Sequence, residues 1–464
     1  MKKLATLLLA AGMVVASTAP ASAADVKLDG FYRYSFDMNS TGFEGDNIDT
    51  AKHRMRLGLS IAASENLRGY TQFQIGTQDW GTAPKHGYND VQTRHMYIDW
   101  KVPAAPVKVR MGRSQFGLPA DAFGGNTVMG ASWGPRDGIV VTANATEWLD
   151  VTALWARAAY VSAAGGDVDK SDKADVFGLA ANLKFDGFSV APWVAFSTMD
   201  PSVESEVKDF DTNGAYVGTG EMAWSGLSTL AGLNNTGDMG TFDRQFASDS
   251  WYFGATATLT AFDPFKLVVA GAYGVREYTG AGSEGADDRK GWNVQAKASY
   301  KLGFGTPILA AWYASGDDAD EEQQYGGWIP SINGYTTPTT NFHDGSTSLD
   351  GSNAFASISG TWAVQAGIEG MSFLSGLTHT AKVTYMQGTN NTQVAAGSDE
   401  AGYLSTSDSI VELSLDTDYA IYKNLIATLE LAYLISDYDT ALSEERAALT
   451  EDDWRVALTF TYKF

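Results

Sequence analysis

Asp453-Trp454-Arg455-Val456-Ala457-Leu458-Thr459-Phe460-Thr461-Tyr462-Lys463-Phe464 is the stretch that decides the fold. Trp454, Val456, Leu458, Phe460, Tyr462 and Phe464 alternate with Arg455, Ala457, Thr459, Thr461 and Lys463. Successive side chains of an extended strand point to opposite faces, so the segment has one large apolar face and one small or polar face. A helix would scatter the same residues around its circumference.

The same grammar recurs upstream. Val26, Leu28, Gly30, Tyr32, Tyr34, Phe36 and Met38 share one face, with Lys27, Asp29, Arg33, Ser35 and Asp37 on the other. His53, Met55, Leu57, Leu59 and Ile61 alternate with Lys52, Arg54, Arg56, Gly58 and Ser60. Segments of this kind are separated in turn by tight turns and long loops. The tight turns fall at Glu65–Arg68, Pro103–Pro106, Thr146–Trp148, Asp186-Gly187, Asp263–Phe265, Gly303–Gly305, Gly370–Gly376 and Lys423-Asn424. Long polar loops fall near 161–174, 199–250, 278–290, 315–353, 389–406 and 439–451, with three more in the first third of the chain. Eight tight turns and nine long loops give 18 strands, or 16 if the weaker segments 138–145 and 306–314 are not strands.

Composition narrows the setting. The 464 residues carry a net charge of −23, which disfavours wholesale nucleic-acid binding because phosphate needs basic surface. There is no Cys, so disulfides, thiolate metal sites and cysteine nucleophiles are absent. The five His form no metal-binding His-x-x-x-His pair. Lys2-Lys3, the apolar run Leu4–Val15 and Ala21-Ser22-Ala23 read as a secretory leader over residues 1–23, with one domain over 24–464. No run of 18 apolar residues offers a transmembrane helix. A soluble sandwich has no reason to place every short turn at one end. A barrel in the outer membrane does, with short turns toward the periplasm and long loops outside. The expectation is therefore an all-β, transmembrane antiparallel β-barrel. Aromatics near the strand ends (Trp100, Trp148, Phe185, Phe188, Trp193, Phe262, Phe265, Phe304, Tyr422, Trp454, Tyr462) fit interfacial girdles.

The terminal strand ending on Phe464 resembles the C-terminal strand of outer-membrane barrels, which implies recognition by the barrel-insertion machinery. Over the whole of 24–464 the chain resembles the trimeric porins. It is most similar to the homotrimeric porins of sulfate-reducing, Desulfovibrio-type bacteria, through Ala23–Arg33 (AADVKLDGFYR) and Met111–Pro119 (MGRSQFGLP). That resemblance implies a homotrimer in which each barrel holds its own diffusion pore. It also implies that the loop after the fifth strand folds inward as a constriction.

If the apolar face meets lipid, the other face lines water. The inward set of the first five strands then holds Lys27, Arg33, Lys52, Arg54, Arg56, Lys101, Lys108 and Arg110 against Asp29, Asp37 and Asp99. Arg33, Arg54, Arg56, Lys108 and Arg110 are the candidate pore-lining cations, and Asp121 and Asp137 the candidate acids on the inward loop 115–137. Bases on a wall facing acids on a loop set a transverse field. The plainer alternative is that the bases only solvate a wet wall or pair with neighbouring acids. Glu412, Asp416 and Asp418 are alternative acidic partners.

Asp317, Asp318, Asp320 and Glu321 form a dense external run that fits a divalent cation such as Ca2+ or Mg2+, a bridge to lipopolysaccharide, or simply a solvated mouth. Asp167-x-Asp169-x-Ser171 opens like a calcium loop but lacks its Gly and Glu. Gly130-Ala131-Ser132-Trp133-Gly134 matches a hydrolase elbow without the strand and helix that motif needs. The function expected is passive diffusion of small hydrophilic solutes and ions, without catalysis or cofactor. The alternatives are a substrate-specific 18-stranded channel for a sugar, amino acid or anion, then an outer-membrane enzyme or adhesin.

Overall fold

The computed structural model describes residues 25–40, 47–81, 91–119, 122–123, 136–162, 171–199, 207–210, 216–220, 247–279, 289–318, 358, 360–392, 404–439 and 452–464. The leader, Asp121, the Gly130–Gly134 motif, Asp167, Asp169, Asp320 and Glu321 lie outside these residues.

The first half of the chain forms β1 (Asp25–Ser40), β2 (Asn47–Ser64), β3 (Leu67–Asp79), β4 (Val91–Lys101), β5 (Val107–Ser114), β6 (Arg136–Thr146), β7 (Leu149–Ser162), β8 (Ser171–Phe185) and β9 (Phe188–Met199). A two-stranded ribbon follows, β10 (Val207–Phe210) and β11 (Tyr216–Gly220). The second half forms β12 (Ala247–Leu259), β13 (Phe265–Thr279), β14 (Arg289–Tyr300), β15 (Thr306–Ala314), β16 (Thr361–Leu374), β17 (Leu377–Gly388), β18 (Ser409–Tyr422), β19 (Leu425–Asp437) and β20 (Asp453–Lys463).

All strands except β10 and β11 join one 18-stranded sheet in which each pairs with its chain neighbour, β9 pairs with β12, and β20 returns to β1. The sheet is a closed antiparallel barrel. The 16-strand alternative fails because 138–145 and 306–314 both form strands, β6 and β15. The ribbon inside the segment read as the loop 199–250 is an addition.

All eight tight turns form, and they are stitched into a continuous rim. The carbonyl of each accepts a backbone N–H from the hairpin beyond it: Asn66 from Lys101, Pro106 from Asn144, Trp148 from Lys184, Gly187 from Thr260, and so on to Asn424 from Lys463, at 2.8–3.1 Å. This rim satisfies groups that would otherwise hang at the edge of the apolar layer, where each lost bond costs several kcal/mol.

Exposure inverts the pattern of a soluble protein. On β1 Val26, Leu28, Tyr32, Tyr34, Phe36 and Met38 are exposed, while Ser35 and Asp37 are buried. The outward faces elsewhere hold Met96, Ile98, Phe177, Leu179, Val383, Leu413 and Ile435. Such a surface is stable only against lipid. Aromatics crowd the turn end, with Trp148, Phe185, Phe262, Phe304 and Tyr422 exposed there. Trp193 departs from that expectation, because it points inward and is buried beside Gly254.

The closing seam carries a buried ion pair. Gly30 and Phe464 exchange both backbone hydrogen bonds at 3.1 Å, and Phe31↔Lys463 through Asn39↔Arg455 stay in register. Arg455 donates from Nε and Nη2 to the Asp37 carboxylate at 2.6–3.2 Å, both side chains being almost fully buried. Removing one member of such a pair leaves an uncompensated charge and costs about 3–5 kcal/mol. Arg455→Ala should therefore lower the temperature at which the folded barrel converts to the slow-migrating band in unboiled gel electrophoresis. Adding Asp37→Asn to that variant should recover part of the loss, and the two conversion curves check this.

Candidate functional site

The lumen is defined by parity and then divided by what fills it. On β7–β9 and β12 a patch of inward residues is apolar: Leu154, Ala156, Val176, Ala180, Ala195 and Tyr252 form one buried cluster with Trp193. Phe116 and Leu118, from the segment after β5, complete it from inside the barrel. That packing needs missing side chains on the wall. A Cβ at Gly178 would stand 2.9 Å from Leu154 Cγ and 3.2 Å from a Leu118 methyl, and one at Gly138 would stand 3.0 Å from Phe116. The segment then crosses the barrel. Ala122 N–H donates to Oε1 of buried Gln295 on β14 at 3.2 Å, and Phe123 sits edge-on to Trp312 of β15 at 5.8 Å. These anchors lie seven and eight strands around the ring from β5. An inward-folded loop is thus present, attached at both walls.

A second apolar cluster fills the barrel along β15–β19, with Trp312, Ala363, Met386, Ile410 and Leu434 under Ile358, Leu404 and Tyr438. Two buried side chains knit the chain above it. Asn390 donates to the Leu404 carbonyl at 2.7 Å and accepts from Asp317 N–H at 3.0 Å. Asp408 accepts from the N–H groups of Ser405 and Asp439, both at 2.7 Å.

Between these fillings lies the polar wall of β1–β5. Arg33 and Arg54 are direct cross-strand partners, as are Phe31 and Arg56. Both Arg33 and Arg56 lie over the Phe31 ring, at 5.0 and 5.4 Å from its centre. Arg56 Nε donates to Gln74 at 2.8 Å, and Arg54 Nε to Thr77 at 2.8 Å. One strand further on, three bases converge on Asp99. Arg110 binds it through Nε at 2.7 Å and Nη2 at 3.0 Å, Arg68 through Nη2 at 2.6 Å, and Lys108 stands at 3.6 Å. Arg110 also stacks on Tyr97 at 4.0 Å, and Tyr97 meets Tyr70 at 5.3 Å. Tyr70 Oη donates to Asp29 at 3.1 Å.

Arg33, Arg54, Arg56, Lys108 and Arg110 therefore share one lumen-facing wall. Asp137 does not join them. It opens β6 rather than ending the loop, shares the outward parity of Ile139, and is gripped by Arg113 at 2.9 and 3.1 Å. It continues an outward row in register with Arg157 and Asp175, themselves bonded at 2.8 and 2.9 Å. The correction has a simple cause: the strand begins at Arg136, two residues before Gly138 announces it in the sequence. Arg68 is a pore-lining base that sequence reading assigned to a turn; its strand begins at Leu67.

Glu412, Asp416 and Asp418 do face the lumen on β18, near Glu430 of β19 and Lys382 of β17, by strand parity. They stand three strands around from β1 and so flank the basic wall rather than face it across the barrel. Of the candidate cation ligands, Asp317 is buried beside Asn390 and Asp318 lies next to it. No three acidic or histidine side chains converge on a metal-binding point among the described residues.

A closed 18-stranded barrel with lipid-facing apolar residues, an inward loop and a charged polar wall defines an outer-membrane channel. The family model described as Porin subfamily matches residues 223–457, just over half of the chain, and the protein belongs to that porin family. Solved structures with the same architecture include three from Pseudomonas aeruginosa. OpdL is 14% identical with a TM-score of 0.55, covering 95% of this chain and 99% of its own. OpdQ is 13% identical with a TM-score of 0.54 over the same shares. OpdK, solved with vanillate, is 12% identical with a TM-score of 0.52, covering 95% and 98%. At these identities the likeness is one of fold. No curated protein sequence matches the chain.

Two outcomes follow from the wall and the loop. Asp99→Asn leaves Arg68, Lys108 and Arg110 uncompensated and should raise anion over cation permeability, by roughly fivefold if one unit charge is worth about 1 kcal/mol near the ion path; reversal potentials in a salt gradient check it. Gln295→Leu removes the acceptor for Ala122 and should give larger, noisier single-channel steps in planar bilayers.

Proposed function

We propose that the channel passes small hydrophilic solutes passively and favours anions, steering them along the basic wall of β1–β5. The observation that carries this is the meeting of Arg68, Lys108 and Arg110 on the single carboxylate of Asp99. That cluster keeps a net positive charge in a wall that also holds Arg33, Arg54 and Arg56. A planar guanidinium binds a carboxylate or phosphate through two parallel hydrogen bonds, so a row of them hands an anion from one site to the next. The apolar fillings on β6–β9 and β15–β19 support the same reading, because they occupy lumen space beside this wall and not in front of it.

Within the proposal, a substrate-selective channel for small organic anions is favoured over an unselective pore. The rings of Phe31, Tyr70 and Tyr97 interleave with the cations and offer faces to a flat solute. OpdK was solved with vanillate, a flat carboxylate, which makes that compound a fitting first probe here. No role in catalysis is assigned to any residue. The leader at 1–23, insertion through the Phe464 strand, contact with lipopolysaccharide and homotrimeric assembly of the kind found in the porins of sulfate-reducing bacteria belong to the same proposal.

The test is ion selectivity in planar bilayers. The wild-type channel should prefer chloride over potassium. Arg54→Ala/Arg56→Ala should shift that ratio toward the cation, by roughly fivefold per charge at contact in a water-like medium. A cation-selective wild type, or a ratio unmoved in the double variant, overturns the anion reading while leaving the porin intact.

A further inference from the structure

Beneath the crossing loop, on the side of the barrel away from the basic wall, lies a second luminal feature. A cavity of about 520 Å3 is roofed by Gly117, Leu118, Pro119 and Ala122. Its polar lining is Thr152, Asn182, Ser189, Thr256, Thr258 and Lys266, contributed by β7, β8, β9, β12 and β13. By strand parity these side chains share the inward face with Leu154, Trp193, Tyr252 and Ala270, which are buried. All six lie toward the tight-turn end of their strands. Above the roof the apolar cluster of Phe116, Val176 and Trp193 is closed to solvent. The cavity is therefore a recess on the tight-turn side of that cluster.

Its chemistry differs from that of the basic wall. Four hydroxyls and one amide each offer both a donor and an acceptor. Between them lie the small apolar faces of Ala180, Ala191 and Val268. No carboxylate lines the recess, and among the described residues Lys266 makes no salt bridge. The volume exceeds that of one water cluster and falls within the range of small-molecule sites.

We propose that this recess binds a small polyhydroxylated solute carrying one anionic group, such as a sugar acid. The hydroxyls and Asn182 exchange hydrogen bonds with the solute's hydroxyls. Lys266, at the rim, takes the anionic group. Ala180, Ala191 and Val268 pack against its C–H faces. This site does not depend on the anion preference proposed for β1–β5, since it lies on different strands.

The experiment reads thiol protection in the purified full-length protein. Thr258→Cys is made in the Arg54→Ala/Arg56→Ala background, so that anion binding at the basic wall is weakened. Millimolar gluconate should slow its reaction with a small thiol reagent. Adding Lys266→Met should weaken that protection roughly tenfold, the factor carried by one charge-assisted hydrogen bond. Calorimetric titration of gluconate into the same background gives a second measure if the thiol is unreactive. Protection that survives Lys266→Met, or that acetate supplies equally well, overturns the assignment. So does the absence of both protection and heat. Loss of anion selectivity in the background variant bears only on the basic wall.

Discussion

Hydrocarbon offers no partner to a peptide N–H or C=O, and that constraint governs the whole molecule. An open sheet would leave two rows of such groups in lipid. Here β20 returns to β1, Gly30 and Phe464 complete the last rung, and the turn rim ties each hairpin to the next. Once the cylinder is closed, the direction of every side chain is set by parity. Most outward residues are apolar because lipid is there, and the outward charges are held in pairs, Arg113 with Asp137 and Arg157 with Asp175. The buried Arg455–Asp37 pair fits this logic. It sits on the inward face of the seam, where a charge can be held by another charge without touching the apolar layer.

Closure alone makes a cylinder, not a filter. The filter comes from filling the cylinder unevenly. A patch of inward positions on β6–β9 and another on β15–β19 are apolar, which would be costly if they met water, and segments of chain enter the barrel to cover them. The crossing loop is therefore held by the same hydrophobic burial that holds a soluble core, with Gly138 and Gly178 providing the room. Its far attachment is of another kind: one hydrogen bond to Gln295 and one ring contact to Trp312. Strong burial near β5 and a light latch across the lumen fix the loop's path while leaving its far end the easier part to move.

This division also explains what could be read from the residues alone. The first two strands and the last one alternate strictly, so the faces of Arg54, Arg56 and Leu57 were plain in the sequence. On β7 and β8 both faces are apolar, as in Trp155 beside Leu154 and Phe177 beside Val176. There periodicity finds the strand but not the reason for it, and the covering role of Phe116 and Leu118 leaves no local signal. Asp137 and Arg68 were misassigned for a shared cause: each is the second residue of a strand, where turn and strand compositions overlap. The recess under the loop was invisible because its lining comes from five strands, each contributing only one or two ordinary hydroxyl, amide or amine residues.

The distribution of charge in the lumen argues for function over stability. Arg33 and Arg54 are direct cross-strand partners, and so are Asp416 and Glu430 on β18 and β19. Like charges placed opposite one another weaken a sheet. Exchanging one member of each pair would have produced two stabilising ion pairs in a protein whose net charge of −23 supplies acids freely. Instead an excess of bases is gathered on one wall, around Asp99, and an excess of acids on its flank, only β20 separating β19 from β1. Segregated charge creates a field along the lumen surface that mixed charge would cancel, and the low-dielectric wall around it keeps that field from spreading. Water and mobile ions in the lumen make the like pairs tolerable. The arrangement is thus stable only in a wet channel, and there it acts on the solutes passing through.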